Sequence, residues 1–209
     1  GTLSNRNSTI SIVSPHSAGQ PFMGHFTYAI SEYLNANYIS VEKSSQSNFI
    51  PKYKLDIRKQ ETYLNQTESK NELVNDFKND LLSTIRENSL VIYFVTGAKG
   101  KGDFHLLNGG AMGMNNFITE DALFEPIEKL NAFKTRLKKT HKKIDKESLI
   151  NTHQHYGNDD KEEFQWMLKR EKNASILCIY VTAKLLTSRA NVYYPTIQCI
   201  GDAIKKELI

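Results

Sequence analysis

Short apolar runs alternate along the chain with longer segments in which apolar residues recur every three or four positions. The short runs, many of them rich in β-branched or aromatic residues, predict strands, and the longer segments predict helices. The predicted strands are TISIVS (9–14), NYISVE (37–42), KLDI (54–57), LVIYFV (90–95), FHLLNGG (104–110), ESLINT (147–152), SILCIYV (175–181) and YYPTIQ (193–198).

Five helices are predicted between and after these strands. They cover 23–34, 68–88, a segment opened by Thr119 as N-cap and reaching about Lys138, 157–173, and 201–209. Strands that alternate with helices predict an α/β fold of three layers, in which a mainly parallel or mixed central sheet is flanked by helices on both faces. The length of 209 residues favours one domain over 1–209.

Composition narrows the class of protein. The apolar fraction of 39% and the charged fraction of 24% are ordinary for a soluble globular protein. No apolar run approaches the ~20 residues of a membrane helix, so no membrane partner is expected. The polar start GTLSNRNST lacks the pattern of a signal peptide, and a cytoplasmic location is therefore expected. Cys178 and Cys199 lie in apolar surroundings, which predicts buried thiols.

The positive charge of the chain is local. The segment KTRLKKTHKKIDK at 134–146 contains seven of the 27 Lys and Arg residues and one of the 23 acidic residues, so the rest of the chain carries 20 basic and 22 acidic residues. Such a segment could meet phosphates or an acidic partner. Because no aromatic residues interleave with these charges, a solvated helix face followed by a loop is favoured over a nucleic-acid site.

His16 follows the first predicted strand directly. In parallel sheets ligands bind beyond the carboxyl ends of the strands, and the small residues at 17–19 would allow a ligand to approach the backbone. His16 is therefore a candidate metal ligand or general base, with a turn histidine bonded to backbone as the alternative. His25, inside the first predicted helix, is expected to be structural.

Other candidate motifs carry weaker signals. The segment VTGAKGKG at 95–102 lacks the spacing of a phosphate-binding loop, so no nucleotide site is predicted. Asp103 and His105 lie two positions apart, which places them on one side of an extended segment. They are candidates for a metal or proton role, although a surface turn is the simpler interpretation. His153 and His155 have the same spacing and could also hold a metal.

The order of several short motifs resembles the N-formylglutamate amidohydrolase family, whose fold is related to that of zinc carboxypeptidases. The motifs are SPHSAG at the end of the first strand, PKYKLDIRK, IYFVTG and the near-terminal TIQCIGDAIKKEL. The resemblance implies that His16 is the first metal-binding histidine and that Asp56 belongs to the substrate-binding motif, in which Arg58 and Lys59 replace an Asn and an Arg. It also places Gln198 at the position of the glutamine in the family's near-terminal Gln-x-Glu motif.

Two family ligands are replaced in this chain. Thr96 stands where the second metal histidine is expected, and Ile200 replaces a glutamate. His105 or Asp103 could restore part of a zinc site, which normally has three protein ligands.

The resemblance implies a divergent, metal-assisted hydrolase that cleaves an amide bond of an N-acyl amino acid or a small peptide. His16 and Gln198 would be catalytic, Asp56, Arg58 and Lys59 would bind substrate, and His16 and His105 would hold zinc. The alternative is a catalytically inactive binding or partner-interaction module on the same fold, which would use the basic segment 134–146.

Overall fold

The structure is a computed structural model that describes residues 2–15, 22–41, 68–96, 103–107, 112–113, 116–117, 123–153 and 163–209. Within these ranges the strands are β1 (Thr2–Ser4), β2 (Ile10–Ser14), β3 (Asn37–Ser40), β4 (Leu90–Thr96), β5 (Phe104–Leu107), β6 (Met112–Gly113), β7 (Asn116–Phe117), β8 (Ile150–His153) and β9 (Ser175–Val181). The helices are α1 (Met23–Leu34), α2 (Glu68–Thr84), α3 (Ile127–His141), α4 (Glu163–Lys172), α5 (Ala183–Leu186) and α6 (Ala190–Glu207).

The main sheet has seven strands in the order β1-β3-β2-β4-β9-β5-β8. Strands β3, β2, β4 and β9 run parallel to one another, and β8 runs parallel to β5. Because β1 is antiparallel to β3 and β5 is antiparallel to β9, the sheet is mixed. Strands β6 and β7 form a separate antiparallel pair.

Helices cover both faces of the main sheet, which explains the unbroken apolar run of its central strand β4. Ile92 and Phe94 pack in one cluster with residues of α1, α3 and α6. The alternate residues Val91, Tyr93 and Val95 pack with α2 and α4 on the other face. A strand covered on both faces has no solvated side, so it carries no polar alternation. The predicted three-layer α/β fold is confirmed.

Most predicted elements that fall on described residues are confirmed. The first helix spans Met23–Leu34 as predicted, and the runs at 9–14, 90–95 and 175–181 form β2, β4 and β9. The strands predicted at 37–42 and 147–152 correspond to β3 and β8. The described part of the strand predicted at 104–110 forms β5, and residues 108–110 lie outside the described residues. The helices predicted at 68–88 and 157–173 correspond to α2 and α4. The candidate strand KLDI and the predicted start of the 157–173 helix lie outside the described residues.

The strand predicted at YYPTIQ is wrong, because these residues belong to the single long helix α6. The buried residues of this helix recur at helical spacing and are Tyr193, Thr196, Ile197, Cys199, Ile200, Gly201, Ala203 and Ile204. Pro195 lies inside the helix, where it removes one backbone donor. Packing of this apolar stripe against α1 and α3 therefore outweighs the strand-like composition and the proline.

The predicted helix start at Thr119 is also wrong. Thr119 lies outside the described residues, but 123–126 are not helical and α3 begins at Ile127, after the extended residue Pro126. Leu123 and Phe124 are buried in the clusters on opposite faces of the sheet. The backbone N–H of Ile176 donates to the Leu123 carbonyl at 2.8 Å, which ties this segment to β9 rather than to a helix.

The basic segment 134–146 is the solvated helix face that its pattern predicts. Phe133, Leu137 and His141 face the core from α3, whereas the exposed residues are Lys138, Lys139, Lys142, Lys143 and Lys146. The two cysteines are buried thiols, as predicted. None of the helices in the described part of the chain combines the length and apolar character that a membrane crossing requires.

At Gly201 the backbone of α6 lies against the Tyr33 ring of α1, and we expect Gly201→Ala to destabilise the protein. A Cβ atom at this position would lie 2.3 Å from Cδ1 of Tyr33. The Tyr33 ring would have to leave its place, where its hydroxyl donates to Asp202 at 2.6 Å and Nζ of Lys205 lies 4.3 Å from the ring centroid. Overpacking of this kind costs about 1–3 kcal/mol of unfolding free energy, measurable by urea denaturation.

The Tyr33→Ala background is the matched control for this substitution. Without the ring the overlap disappears, and Gly201→Ala is then expected to be neutral or to stabilise by about 0.5–1 kcal/mol, because alanine is the better helix former. An equal loss in both backgrounds would show that the close approach to Tyr33 is not the cause.

Candidate functional site at the carboxyl edge of the sheet

The carboxyl ends of the parallel strands lie at one edge of the main sheet, which we call the carboxyl edge. Val13 of β2 pairs with Tyr93 of β4, and Thr96 of β4 pairs with Val181 of β9, so these strands end on the same side. Strand β5 begins at this edge, since its first residue Phe104 also pairs with Val181. Ligands of open α/β sheets bind beyond such an edge.

Several predicted site residues lie outside the described residues. Pro15, the residue before His16, is the last described residue of its segment and follows the end of β2 at the carboxyl edge. His16 itself and the predicted substrate-binding residues Asp56, Arg58 and Lys59 are not described. The roles given to them by the sequence stay predictions.

His105, the described member of the predicted zinc ligands, is buried near the carboxyl edge. It lies in β5 opposite Tyr180 of β9, and 6% of its surface is exposed. Its neighbours Phe104 and Leu106 belong to the cluster on the α1 face. Because successive residues of a strand point to opposite faces, the imidazole of His105 points to the face covered by α2 and α4.

Asp103 precedes β5 and is likewise buried. Its backbone N–H donates to the Leu149 carbonyl at 2.8 Å, and its carbonyl accepts from the N–H of Thr182 at 3.1 Å. Among the described residues, no three His, Cys, Asp or Glu side chains lie close enough together to hold a metal ion. The imidazole of His105 is a suitable donor for zinc, and a metal there would take its other ligands from segments that the structure does not describe.

Two further predicted residues lie away from the carboxyl edge. His153 pairs with Leu107, at the opposite end of β5 from Asp103. Gln198 is exposed in the middle of α6, between the buried residues Ile197 and Cys199. The resemblance placed Gln198 before the last helix, but that helix already begins at Ala190 and contains Gln198. The side chain lies on the solvated side of the helix.

A cavity of about 400 Å³ opens at the carboxyl edge, on the α1 face of the sheet. Helix α1 starts shortly after β2 and helix α5 starts directly after β9, so both bring their first turns to this edge, and α6 begins close behind α5. The cavity is lined by apolar and ring surface from Phe22, Leu186, Tyr193 and Tyr194, and by polar groups of His25, Thr187 and Ser188.

His25 and Tyr193 form the polar centre of this cavity. Nδ1 of His25 lies 2.9 Å from the hydroxyl oxygen of Tyr193, within hydrogen-bond distance, and the two rings stack with centroids 5.8 Å apart. Burial, with a smaller contribution from Tyr194, raises the pKa of Tyr193 to about 12, so its hydroxyl is protonated in neutral solution. The bond to Tyr193 fixes the His25 ring through Nδ1 and leaves Nε2 as its second polar atom.

Phe22 lies at the N-cap of α1 with a φ of 65°, in the left-handed region that bulky residues rarely adopt. It makes no side-chain capping bond, and 58% of its surface is exposed at the cavity. The Tyr193 hydroxyl also lies 3.4 Å from the Phe22 carbonyl. An unfavourable residue kept at such a position is more typical of a functional site than of a structural helix start.

The cavity was not predicted from the sequence, and His25 was expected to be structural. His25 is indeed bonded to Tyr193, but it also lines the cavity. Tyr193 and Tyr194 were assigned to a strand, which would have placed them away from the start of α1. The helical spacing of apolar residues from Tyr193 to Ile204 was the signal that identifies them as part of a helix.

The fold is shared with proteins of known structure. A bacteriophage poly-gamma-glutamate hydrolase matches with a TM-score of 0.57 and 12% identity over 98% of this chain and 87% of its own. The gene product Atu2144 from Agrobacterium tumefaciens matches with a TM-score of 0.55 and 8% identity over 98% of this chain and 94% of its own.

A metallo-carboxypeptidase from Burkholderia cenocepacia matches with a TM-score of 0.53 and 8% identity over 95% of this chain and 56% of its own. No protein-family model and no curated protein sequence matches this chain significantly. At such low identity these matches establish the fold and nothing further: the chain has a fold shared with a poly-gamma-glutamate hydrolase and a metallo-carboxypeptidase.

Proposed function

We propose that the protein is a divergent N-formylglutamate amidohydrolase-like hydrolase that cleaves an amide bond of an N-acyl amino acid or a small peptide with the help of zinc. One observation carries the proposal: the ring-lined cavity opens at the carboxyl edge, and it is lined by Phe22, the first described residue after the segment that contains His16. The likeness of the fold to a poly-gamma-glutamate hydrolase and a metallo-carboxypeptidase supports hydrolysis over other chemistries.

In this proposal His16 and His105 hold the zinc ion. His105 is buried in β5, and a ring restricted by its surroundings is better suited to hold a metal than a mobile one. Zinc lowers the pKa of a bound water and polarises a carbonyl group. Further ligands would come from segments outside the described residues.

The remaining roles follow from the resemblance. Arg58 or Lys59 would pair with the carboxylate of the substrate. An arginine can bind a carboxylate through two hydrogen bonds at once, whereas a lysine lacks this bidentate geometry. Asp56 would belong to the same substrate-binding segment, and His16 and Gln198 would be catalytic. Because Gln198 is exposed on α6 and does not line the cavity, its catalytic role is supported by the resemblance alone.

Metal content tests this proposal directly. Wild type and His16→Ala are incubated with zinc, dialysed and measured by elemental analysis, with His25→Phe as a control that changes a histidine of the cavity rather than a predicted ligand. We expect about one zinc ion per chain in wild type and in His25→Phe. We expect His16→Ala to lose most of its bound zinc, because a catalytic zinc site has about three protein ligands and depends on each of them. The metal-loaded protein is then tested for hydrolysis of N-acyl amino acids.

The inactive binding module remains the second candidate because two family ligands are replaced. Thr96 ends β4 where a histidine is expected, and Ile200, in place of a glutamate, is fully buried in the core on the α1 face. If neither wild type nor the variants retain zinc, the zinc-hydrolase proposal fails and the binding module is favoured.

A further inference from the structure

The cavity at the carboxyl edge is suited to an uncharged group. Its described lining residues include no Asp, Glu, Lys or Arg. A carboxylate or ammonium group entering it would give up hydration without gaining an opposite charge, which is costly. The hydroxyls of Thr187 and Ser188 donate to the Ala183 and Leu185 carbonyls at 2.9 and 2.6 Å. Their oxygens therefore face a ligand as uncharged hydrogen-bond acceptors.

The walls of the cavity offer ring surface at right angles. The rings of Tyr193 and Tyr194 meet edge to face, with centroids 5.4 Å apart and planes at 90°, and His25 stacks beside Tyr193. Tyr194 is 55% exposed, so part of its ring is available to a ligand. The volume of about 400 Å³ lies in the range of small-molecule sites and far exceeds what a formyl group would fill.

We propose that this cavity binds the acyl group of the substrate and selects a ring-bearing acyl group, such as benzoyl, over formyl. The inference rests on the proposed function, which supplies the N-acyl amino acid. The ring of the acyl group packs against Tyr194 and Tyr193, and Nε2 of His25 forms a hydrogen bond to the amide of the ligand. The charged carboxylate lies outside this cavity, because the described lining residues include no Lys or Arg to pair with it.

Ligand-observed NMR on the full chain with N-benzoylglycine and N-formylglycine tests the assignment. We expect N-benzoylglycine to bind at least tenfold more tightly, on the order expected for burying an aromatic ring. Tyr194→Ala is expected to lower the affinity for N-benzoylglycine about tenfold and to leave that for N-formylglycine unchanged. Tyr28→Ala is the matched control, since Tyr28 is a 41% exposed tyrosine of α1 that does not line the cavity.

The hydrogen bond from His25 is tested separately. His25→Phe keeps a ring in the wall and removes the nitrogen, and is expected to weaken both ligands by a similar factor of about five. If it leaves the affinity for both ligands unchanged, the part of the inference that concerns His25 is wrong.

The release of glycine, followed in the same samples, separates this inference from the proposed function. Binding of N-benzoylglycine that depends on Tyr194 supports the subsite even without hydrolysis, and the absence of hydrolysis then counts against the proposed function alone. Equal affinities for the two ligands, no binding of N-benzoylglycine, or a Tyr194→Ala variant that binds like wild type overturns the subsite, whether or not hydrolysis occurs. If N-formylphenylalanine binds more tightly than N-formylglycine and Tyr194→Ala removes that difference, the cavity binds the amino-acid side chain. That result overturns the assignment of the cavity to the acyl group.

Discussion

Replacing His141 by alanine is expected to lower the free energy of unfolding by about 3–5 kcal/mol, because the substitution opens a cavity and removes one hydrogen bond from each of two buried hydroxyl groups. His141 ends α3 and is fully buried, with its ring edge-on to Phe104 at 5.0 Å between centroids. Nδ1 lies 2.6 Å from Ser148 Oγ, and Nε2 lies 2.8 Å from Thr196 Oγ1. Both ring nitrogens are therefore hydrogen bonded.

The hydrogen bonds of this cluster fit a neutral His141 better than a charged one. The Thr196 hydroxyl donates to the Val192 carbonyl at 2.7 Å, so its oxygen accepts from Nε2–H of His141. Nδ1 then accepts from the Ser148 hydroxyl. A proton added at Nδ1 would point at the Ser148 hydroxyl, which would then have to rotate so that its oxygen accepts the bond. The charged ring would also be buried, because solvent does not reach His141.

The same residue makes the stability of the protein depend on pH. Burial lowers the pKa of His141 below its ordinary value of 6.5, and the negative charges of Asp103 and Asp145 oppose that shift only in part. Between the lowered folded-state pKa and 6.5, the unfolded chain binds more protons than the folded protein, so stability rises with pH. The stabilising effect of neutral His141 is present above pH 6.5 and is lost as the pH falls below it.

Urea denaturation of four proteins checks both statements. Wild type, His141→Ala, His141→Gln and Lys142→Ala are compared at several pH values from about 7.5 to 5. Lys142→Ala is the exposed neighbour that should be close to wild type, and His141→Ala gives the predicted loss of unfolding free energy at the upper end of this range. The glutamine variant is expected to be less stable at pH 7.5 and to lose less stability than wild type on acidification, because it has no imidazole to protonate. Parallel pH profiles for wild type and His141→Gln would show that His141 is not the group responsible.

The layers of the fold were predictable because their signals are local. The apolar runs of β4 and β9 are continuous, since both faces of these strands are covered. The bounds of α1 followed from apolar spacing over 12 residues. The start of α6 was not predictable in this way, because Tyr194, Pro195 and Thr196 have the composition of an edge strand, and only packing against α1 and α3 makes them helical.

The candidate site was predictable in position but not in composition. The parallel strands indicated the carboxyl edge, and Pro15 indeed follows the end of β2 there. The cavity depends instead on a contact between His25 and Tyr193, which are 168 residues apart in the chain. No local pattern links two such residues, because their contact follows from the packing of α1 against α6.

Asn37→Asp is expected to cost about 2–4 kcal/mol of unfolding free energy, although it changes one atom of the side chain. Asn37 is fully buried at the start of β3. Its Oδ1 accepts from the N–H groups of Arg6 and Ser8 at 2.9 and 3.2 Å. Its Nδ2 donates to the Ser8 carbonyl and to Ser11 Oγ at 2.9 and 3.2 Å.

The carboxylate introduced by Asn37→Asp could still accept from Arg6 and Ser8. It would also place a negative oxygen against the Ser8 carbonyl, where the amide now donates, and it would bury a charge. Asn35→Asp makes the same chemical change two residues earlier, at an exposed position with a φ of 51° that Asp tolerates, and is expected to cost at most about 0.5 kcal/mol. Guanidinium denaturation at pH 7 compares the two variants with wild type. Asn37 belongs to β3, which pairs with both β1 and β2, and its amide bonds to the residues that connect those two strands. A large difference between the two variants would show that this amide holds the connection against the sheet. Similar small losses of unfolding free energy would show that it does not.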